Sequence, residues 1–396
     1  MERVVIVGAS VAGLTAAETL REEGFAGEVV LVNGERHAGY DRPPLSKAVL
    51  SGRLPPSELA LRPAQFHLDH RLDHRVGVRA KALDLRGRTV LLDTGEHLRF
   101  DGLIVATGLR ARPLPGQPAL SGVHMLRTLD DAQQLRTDLL AASRVVVVGA
   151  GFLGSEVAAT ARELGRDVTI VDPLVLPMLH QLGRDVAPGV LRAHRDRGVD
   201  LRLQRVVRRI HEQDGRVAGV TLDDGEHLEA QVVVVAIGSI PNTEWLEGSG
   251  LVLDDGVVCD EFCRAGEGVY AAGDVARWQH PRLGTSLRIE HRMHAAEQGI
   301  AAARNLLGAR VPFDPLPYFW TDFYDVKVQV YGGINPDDEL TLLSGELEGR
   351  SFTAAYVRNG VITAVLGWNA PRQVRRQSSL VGQRVDALQS LAGAGA

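Results

Sequence analysis

Cysteine is nearly absent from the chain, with two among 396 residues, Cys259 and Cys263. Two thiols cannot make a disulfide scaffold, and their rarity fits a reducing compartment, so a cytoplasmic location is expected. Long apolar runs are missing as well. Strand-like stretches such as Val145-Val146-Val147-Val148 and Val232-Val233-Val234-Val235 fall far short of the roughly 18 residues that a membrane helix needs. A strand pattern starts directly after Met1-Glu2, which predicts neither a signal peptide nor a membrane partner. Charge of one sign is also lacking. A formal net charge of −5 argues against a surface built for nucleic acid and leaves room only for local basic patches. Lysine is scarce among the cations: Lys47, Lys81 and Lys327 are the three lysines among 44 basic residues.

What is present reads as globular. A content of 45% apolar and 23% charged residues excludes wholesale disorder and collagen-like structure. The length predicts two or three domains, at about 150 residues each. The 43 glycines predict many tight turns.

An internal duplication organises the chain. Arg3-Val4-Val5-Ile6-Val7 reads as a buried strand, Gly8-Ala9-Ser10-Val11-Ala12-Gly13 turns into a helix ending near Gly24, and Glu28-Val29-Val30-Leu31-Val32 follows as a second strand. The same grammar returns at Arg144 to Val148, at Gly149-Ala150-Gly151-Phe152-Leu153-Gly154 with a helix to about Gly165, and at Asp167 to Val171. Each copy closes on an apolar strand ending in glycine, Gly108 and Gly238. Alternating strand and helix predicts parallel, doubly wound sheets. The fold class is therefore α/β, with two dinucleotide-binding domains. Antiparallel flaps are expected between Arg75 and Arg99 and between Val206 and Leu228. After about Val311, runs such as 327–331 and 351–357 predict a small antiparallel sheet with a terminal helix, a C-terminal α+β domain. The boundaries predicted are 1–110 with 240–312, 111–239, and 313–396, with residues 391–396 frayed.

Each glycine motif comes with its strand, its helix and an acid at the end of the next strand: Gly8, Ser10, Gly13 and Glu35; then Gly149, Gly151, Gly154 and Asp172. The glycines let backbone approach a pyrophosphate, the helix N-terminus favours its charge, and the carboxylate takes adenosine ribose hydroxyls. Ser10 replaces the middle glycine in the first copy. Asp172 is followed by Pro173-Leu174-Val175, with no cation to receive a 2′-phosphate, so NADH is favoured over NADPH. The cations that could alter this are Arg166 and residues remote in sequence.

Several further segments carry a resemblance. They are Tyr40-Asp41-Arg42-Pro43-Pro44-Leu45-Ser46-Lys47, Phe100-Asp101 through Thr107-Gly108, Gly149 through Glu156, Gly238 through Trp245, Val269 through Val275, and Pro317-Tyr318-Phe319-Trp320-Thr321-Asp322 with Lys327 and Gln329. In order from residue 3 to about 385, the chain resembles the FAD-dependent ferredoxin reductases of the putidaredoxin reductase and rubredoxin reductase type, which include reductase components of aromatic-ring dioxygenases. The resemblance implies a glutathione-reductase-like architecture with FAD on the first motif and Glu35 on its ribose. It implies that Arg42, Lys47, Thr107 and Arg110 reach that cofactor and that Asp274 bonds its ribityl chain. The helix starting near Glu290-His291 would point its positive end at the flavin. Lys47 and Glu156 would face each other beside flavin N5 and orient the nicotinamide, with Trp320 close to the rings. Arg292 and His294 depart from the residue types usual at those positions.

Cys259 and Cys263 lie beyond both glycine motifs at a spacing unlike CxxC, which predicts a structural role and no thiol relay. Electrons would then leave the flavin directly, one at a time, to an iron–sulfur ferredoxin that feeds an oxygenase such as a cytochrome P450 or a Rieske enzyme. The alternatives are an NADH oxidase or diaphorase and a redox switch of the apoptosis-inducing-factor type. An acidic ferredoxin needs a basic landing patch. Candidates are Arg288 with Arg292, the cluster Arg372, Arg375 and Arg376, and the run Arg202, Arg205, Arg208 and Arg209. Nothing points to a metal site.

Overall fold

The computed structural model describes residues 1–386; the tail expected to fray, 391–396, lies outside them. The chain forms two compact units. The first comprises 1–42, 57–110 and 239–315. Its sheet runs in the order Arg264–Gly266, Val269–Ala271, Gly102–Val105, Arg3–Val7, Glu28–Asn33, Leu72–Val76. The four inner and outer strands around Arg3–Val7 pair in parallel, as continuous apolar strands covered on both faces require. The Val11–Glu22 and Arg292–Leu306 helices pack together, and Gly299 permits their approach, since a Cβ there would lie 2.4 Å from the Ala12 carbonyl oxygen. The expected flap appears as three antiparallel strands, Ala80–Asp84, Thr89–Leu92 and His97–Arg99.

The second unit comprises 43–56, 111–238 and the segment from 316 onward. Its parallel sheet runs Asp200–Leu203, Asp167–Asp172, Arg144–Val148, Val232–Val235, Val123–His124. A flap of Val207–Gln213, Arg216–Leu222 and His227–Glu229 follows the same plan as the first. A five-stranded antiparallel sheet, Tyr318–Phe323, Val326–Gly332, Val361–Trp368, Phe352–Arg358 and Glu339–Gly345, completes the unit together with the Pro371–Gln377 helix.

Two features differ from the boundaries expected from sequence. Residues 43–56, placed there with the first nucleotide domain, fold with the second unit. The C-terminal sheet does not stand apart either. Leu182, Val186 and Val190 of the kinked Leu179–Arg195 helix share one core with Val328, Tyr356, Leu366 and Trp368, and the buried Tyr356 hydroxyl donates to the Leu182 carbonyl at 2.5 Å. A sheet with one apolar face needs a partner to cover it, and this helix supplies it.

Candidate active site

The two glycine motifs fold alike. Gly8 has φ +116° and Gly149 φ +104°, left-handed values that disfavour any side chain. A Cβ on Gly13 would sit 1.8 Å from the Gly8 carbonyl oxygen, and one on Gly154 1.9 Å from that of Gly149. These glycines let the helix start cross its strand. Gly151 differs, because a Cβ there meets only Gln181 Nε2 at 3.9 Å. Ser10, its counterpart, has φ −93°, so serine fits without strain. Neither helix start is capped by a side-chain hydrogen bond from its own first residue, and a helix start of this kind favours an anion such as a pyrophosphate. The residues present therefore fit dinucleotides at both motifs.

In the first unit, Glu35 follows the second strand and holds two neighbours. Its Oε1 accepts from Arg42 Nη2 at 2.6 Å and its Oε2 from the Tyr40 hydroxyl at 2.5 Å. Burial pulls the Arg42 pKa down, but the Glu35 carboxylate outweighs it and leaves the guanidinium above its ordinary value. Thr107 donates its hydroxyl to the Asn242 carbonyl at 2.8 Å, and Arg110 pairs with Glu244 and with Asn242 Oδ1. Asp274 lies in the short turn after Gly273, whose N–H donates to Gln298 Oε1 at 2.9 Å. Glu290 accepts from Ser239 and Arg288, and His291 begins the Arg292–Leu306 helix. Burial drives the His291 pKa down to about 4 and that of His294 to about 3, so both imidazoles are neutral at physiological pH.

In the second unit, Pro43 and Pro44 lead into a π-helical turn, Leu45–Val49, in which the Val49 N–H reaches back to the Pro44 carbonyl at 3.0 Å. Turns of this kind gather at functional sites, and this one carries Lys47. Thr160 ties it down by donating to the Ser46 carbonyl at 2.8 Å. Lys47 Nζ lies 3.2 Å from Glu156 Oε1 and 2.8 Å from Asp322 Oδ1. Glu156 is 8% exposed and accepts from the Ser46 hydroxyl at 2.6 Å and the Thr321 hydroxyl at 2.9 Å. Burial alone would lower the Lys47 pKa; the carboxylates of Glu156 and Asp322 overcome it and hold the ammonium above its ordinary value. Trp320, next to Thr321 on the Tyr318–Phe323 strand, stacks on Tyr318 with centroids 5.8 Å apart. Gly238, with φ +100°, follows the last strand of the parallel sheet.

Single-residue signals in the sequence do not point to Ser46, Thr160, Thr321 and Asp322. Three of them sit inside motifs already singled out, and hydroxyl or carboxylate neighbours of a motif lysine were the available signal. Thr160 carried none. Asp172 is placed differently from a free ribose acceptor: its Oδ2 accepts the Ala150 N–H at 2.6 Å and its Oδ1 the Leu174 N–H at 2.8 Å. Arg166 points elsewhere, donating to the Leu164 and Ala142 carbonyls. Among the basic patches, Arg288 pairs with Asp255 and Glu290, Arg292 with Asp41, Arg202 with Asp200 and Glu226, and Arg205 with Asp224. Arg372, Arg375 and Arg376 are exposed and form no ion pair among the described residues. Also among these residues, no cluster of His, Cys, Asp and Glu could hold a metal, and no helix is long and apolar enough to cross a membrane.

Known proteins resemble this chain over most of its length. Residues 2–299 match the pyridine nucleotide-disulphide oxidoreductase family and 318–393 the reductase C-terminal family. Rhodocoxin reductase of Rhodococcus erythropolis is 38% identical over 93% of this chain and 87% of its own length. The anthranilate 1,2-dioxygenase system ferredoxin–NAD(+) reductase component of Burkholderia cepacia is 36% identical over 95% of this chain and 93% of its own. The reductase in a covalent putidaredoxin reductase–putidaredoxin complex superposes with a TM-score of 0.91 at 32% identity, covering 97% of this chain and 93% of that one.

Proposed function

The chain belongs to the pyridine nucleotide-disulphide oxidoreductase family, and from that premise we propose that it is an NADH-dependent ferredoxin reductase serving an oxygenase. FAD, when bound, would supply the redox chemistry that links a two-electron hydride donor to a one-electron acceptor. Gly8, Ser10, Gly13, Glu35 and Arg42 bind and orient it from the first unit, with Asp274 and the Arg292–Leu306 helix start, whose positive end favours negative charge. Gly149, Gly151 and Gly154 hold the pyrophosphate of NADH. Lys47 and Glu156 would position the nicotinamide and, as a pair of opposite charges, buffer charge while hydride moves. Trp320 would lie nearest the rings, where an aromatic can stack on nicotinamide or flavin.

The observation that carries the reading is the state of the two thiols. Cys259 and Cys263 are free and buried. Burial pushes the Cys263 pKa up to about 12 and that of Cys259 well above its ordinary value. A thiol without accessible thiolate cannot relay electrons, so they would pass without a thiol relay to an external acceptor. Relatives named for ferredoxin reduction point to a ferredoxin as that acceptor. The same unpaired thiols favour a cytoplasmic setting.

Stopped-flow absorbance tests this. Fast flavin bleaching by NADH, rapid reoxidation by a ferredoxin and slow reoxidation by oxygen are expected. Slow bleaching with a persistent charge-transfer band would indicate a redox switch, and fast reoxidation by oxygen an oxidase. In the same assay, reversing Arg375 and Arg376 to Glu should slow reoxidation by ferredoxin and spare ferricyanide.

A further inference from the structure

The choice between NADH and NADPH turns on a contact remote in sequence. The inference rests on the reading of the second glycine motif as a nicotinamide-dinucleotide site. In that fold the adenosine ribose lies at the carboxyl end of the second strand, where an acid takes its hydroxyls or a nearby arginine takes a 2′-phosphate. Asp172 ends the strand, 7% exposed, with both oxygens engaged by the Ala150 and Leu174 amides. It anchors the glycine loop to the strand, and its charge stays at the site.

The backbone of a cationic residue, Arg205, lies beside it. The Asp200–Leu203 strand runs parallel to the acid-bearing one, with Leu203 in register with Asp172. Past Leu203 the chain turns at Gln204, in the left-handed region at φ 57°, and folds onto the end of the neighbouring strand. Gln204 N donates to the Leu174 carbonyl and Arg205 N to the Asp172 carbonyl, each at 3.1 Å. Arg205 thus reaches the end of the ribose strand through backbone contacts that no local pattern announces.

Its guanidinium is not available as it stands. Nε donates to Asp224 Oδ2 at 2.6 Å, and Nη1 to the Gln204 carbonyl at 2.9 Å. Asp224 comes from the turn joining the Arg216–Leu222 and His227–Glu229 strands of the flap. The Glu226 N–H, then the Arg205 guanidinium, hold its carboxyl below the ordinary carboxylate range. The neighbouring cation, Arg202, is likewise matched by Asp200 and Glu226.

We infer that the Arg205–Asp224 pair sets dinucleotide choice: Asp224 neutralises the cation beside the ribose, the site favours NADH, and a freed Arg205 would accept the 2′-phosphate of NADPH. Asp172 adds repulsion toward that phosphate. A phosphate carrying up to two negative charges would face two carboxylates and one already paired arginine, whereas the uncharged ribose hydroxyls of NADH meet no such opposition.

Calorimetric titration of the flavin-loaded protein with NAD+ and NADP+, alongside kinetics with the reduced forms, tests this. Asp224→Ala is expected to tighten NADP+ relative to NAD+ at least tenfold, with a matching fall in the NADPH KM relative to that for NADH. Adding Arg205→Ala should erase the gain. A ratio changed less than twofold in Asp224→Ala, or a gain that survives in the double variant, would overturn the inference. Absence of any NAD+ binding or NADH reduction in the parent protein would overturn the reading of the site itself, and the inference with it.

Discussion

Lys47 shows most directly what a single residue contributes. A buried carboxylate is costly unless it is paired and hydrogen-bonded, and Glu156 has an ammonium and two hydroxyls. Lys47→Met would leave that carboxylate with only the hydroxyls. The expected loss is about 3 kcal/mol, the low end for breaking a buried pair, read from urea unfolding. Because the Lys47 pKa is raised by folding, the pair's contribution is complete below the ordinary lysine value of 10.5 and is lost as pH climbs through the higher folded value. Lys47→Arg keeps the charge and loses the compact geometry. Flavin reduction by NADH should slow by up to about 10²-fold, as misplacement of a positioning group does. Parental reduction rates in Lys47→Arg would remove Lys47 from its proposed role. The lysine was legible in the sequence through its motif. Asp322, its shorter contact, is not legible as a partner in the sequence, because nothing local says which face of a distant strand meets a π-helical turn.

At the scale of the element, the two strand–turn–helix units separate glycines that close a fold from glycines that leave room for a ligand. Gly154→Ala places a Cβ against backbone that cannot yield. Gly151→Ser enters open space and copies the Ser10 of the first motif. Gly151→Ser should therefore leave the melting temperature within about 2 °C of the parent, as surface-like substitutions do, while raising the NADH KM several-fold. Gly154→Ala should lower both stability and NADH binding. Equal melting losses for the two would contradict the distinction. These elements were the most legible part of the chain: strands, helices and flaps follow the apolar periods and glycine turns closely. The unit boundaries were less so, because the 43–56 segment and the C-terminal sheet are placed by the surfaces they cover.

Across the whole molecule, four of the nine arginines that looked like a landing patch form ion pairs, and the exposed cluster Arg372, Arg375 and Arg376 remains as the partner face to test. Burial has a second molecule-wide consequence. His194 and His294, almost inaccessible to solvent, have their pKa values pushed down by burial to about 4 and about 3. Below the ordinary value of 6.5 the unfolded chain binds protons that the folded chain refuses, so stability falls as pH drops from 6.5 toward 4. Each contributes up to about 1.4 kcal/mol per pH unit in that window. Scanning calorimetry should show a lower melting temperature at pH 5 than at pH 7, and a smaller difference in His294→Leu. A melting temperature independent of pH over that range would contradict neutral burial.

The sequence by itself determined the duplicated nucleotide folds, the absence of a thiol pair near them, and the lysine and glutamate of the candidate site. The folds rest on periodicity and glycine spacing within a few dozen residues, where local sterics dominate, whereas Lys47 and Glu156 were implied only by the resemblance of their motifs to a family. Tertiary structure alone decided that Lys47 is shared between Glu156 and Asp322, 109 and 275 residues away. It also decided that Asp172 braces its own loop and that Asp224 covers Arg205. Ion pairs and desolvation act over a few ångströms, and packing sets which distant side chains come that close.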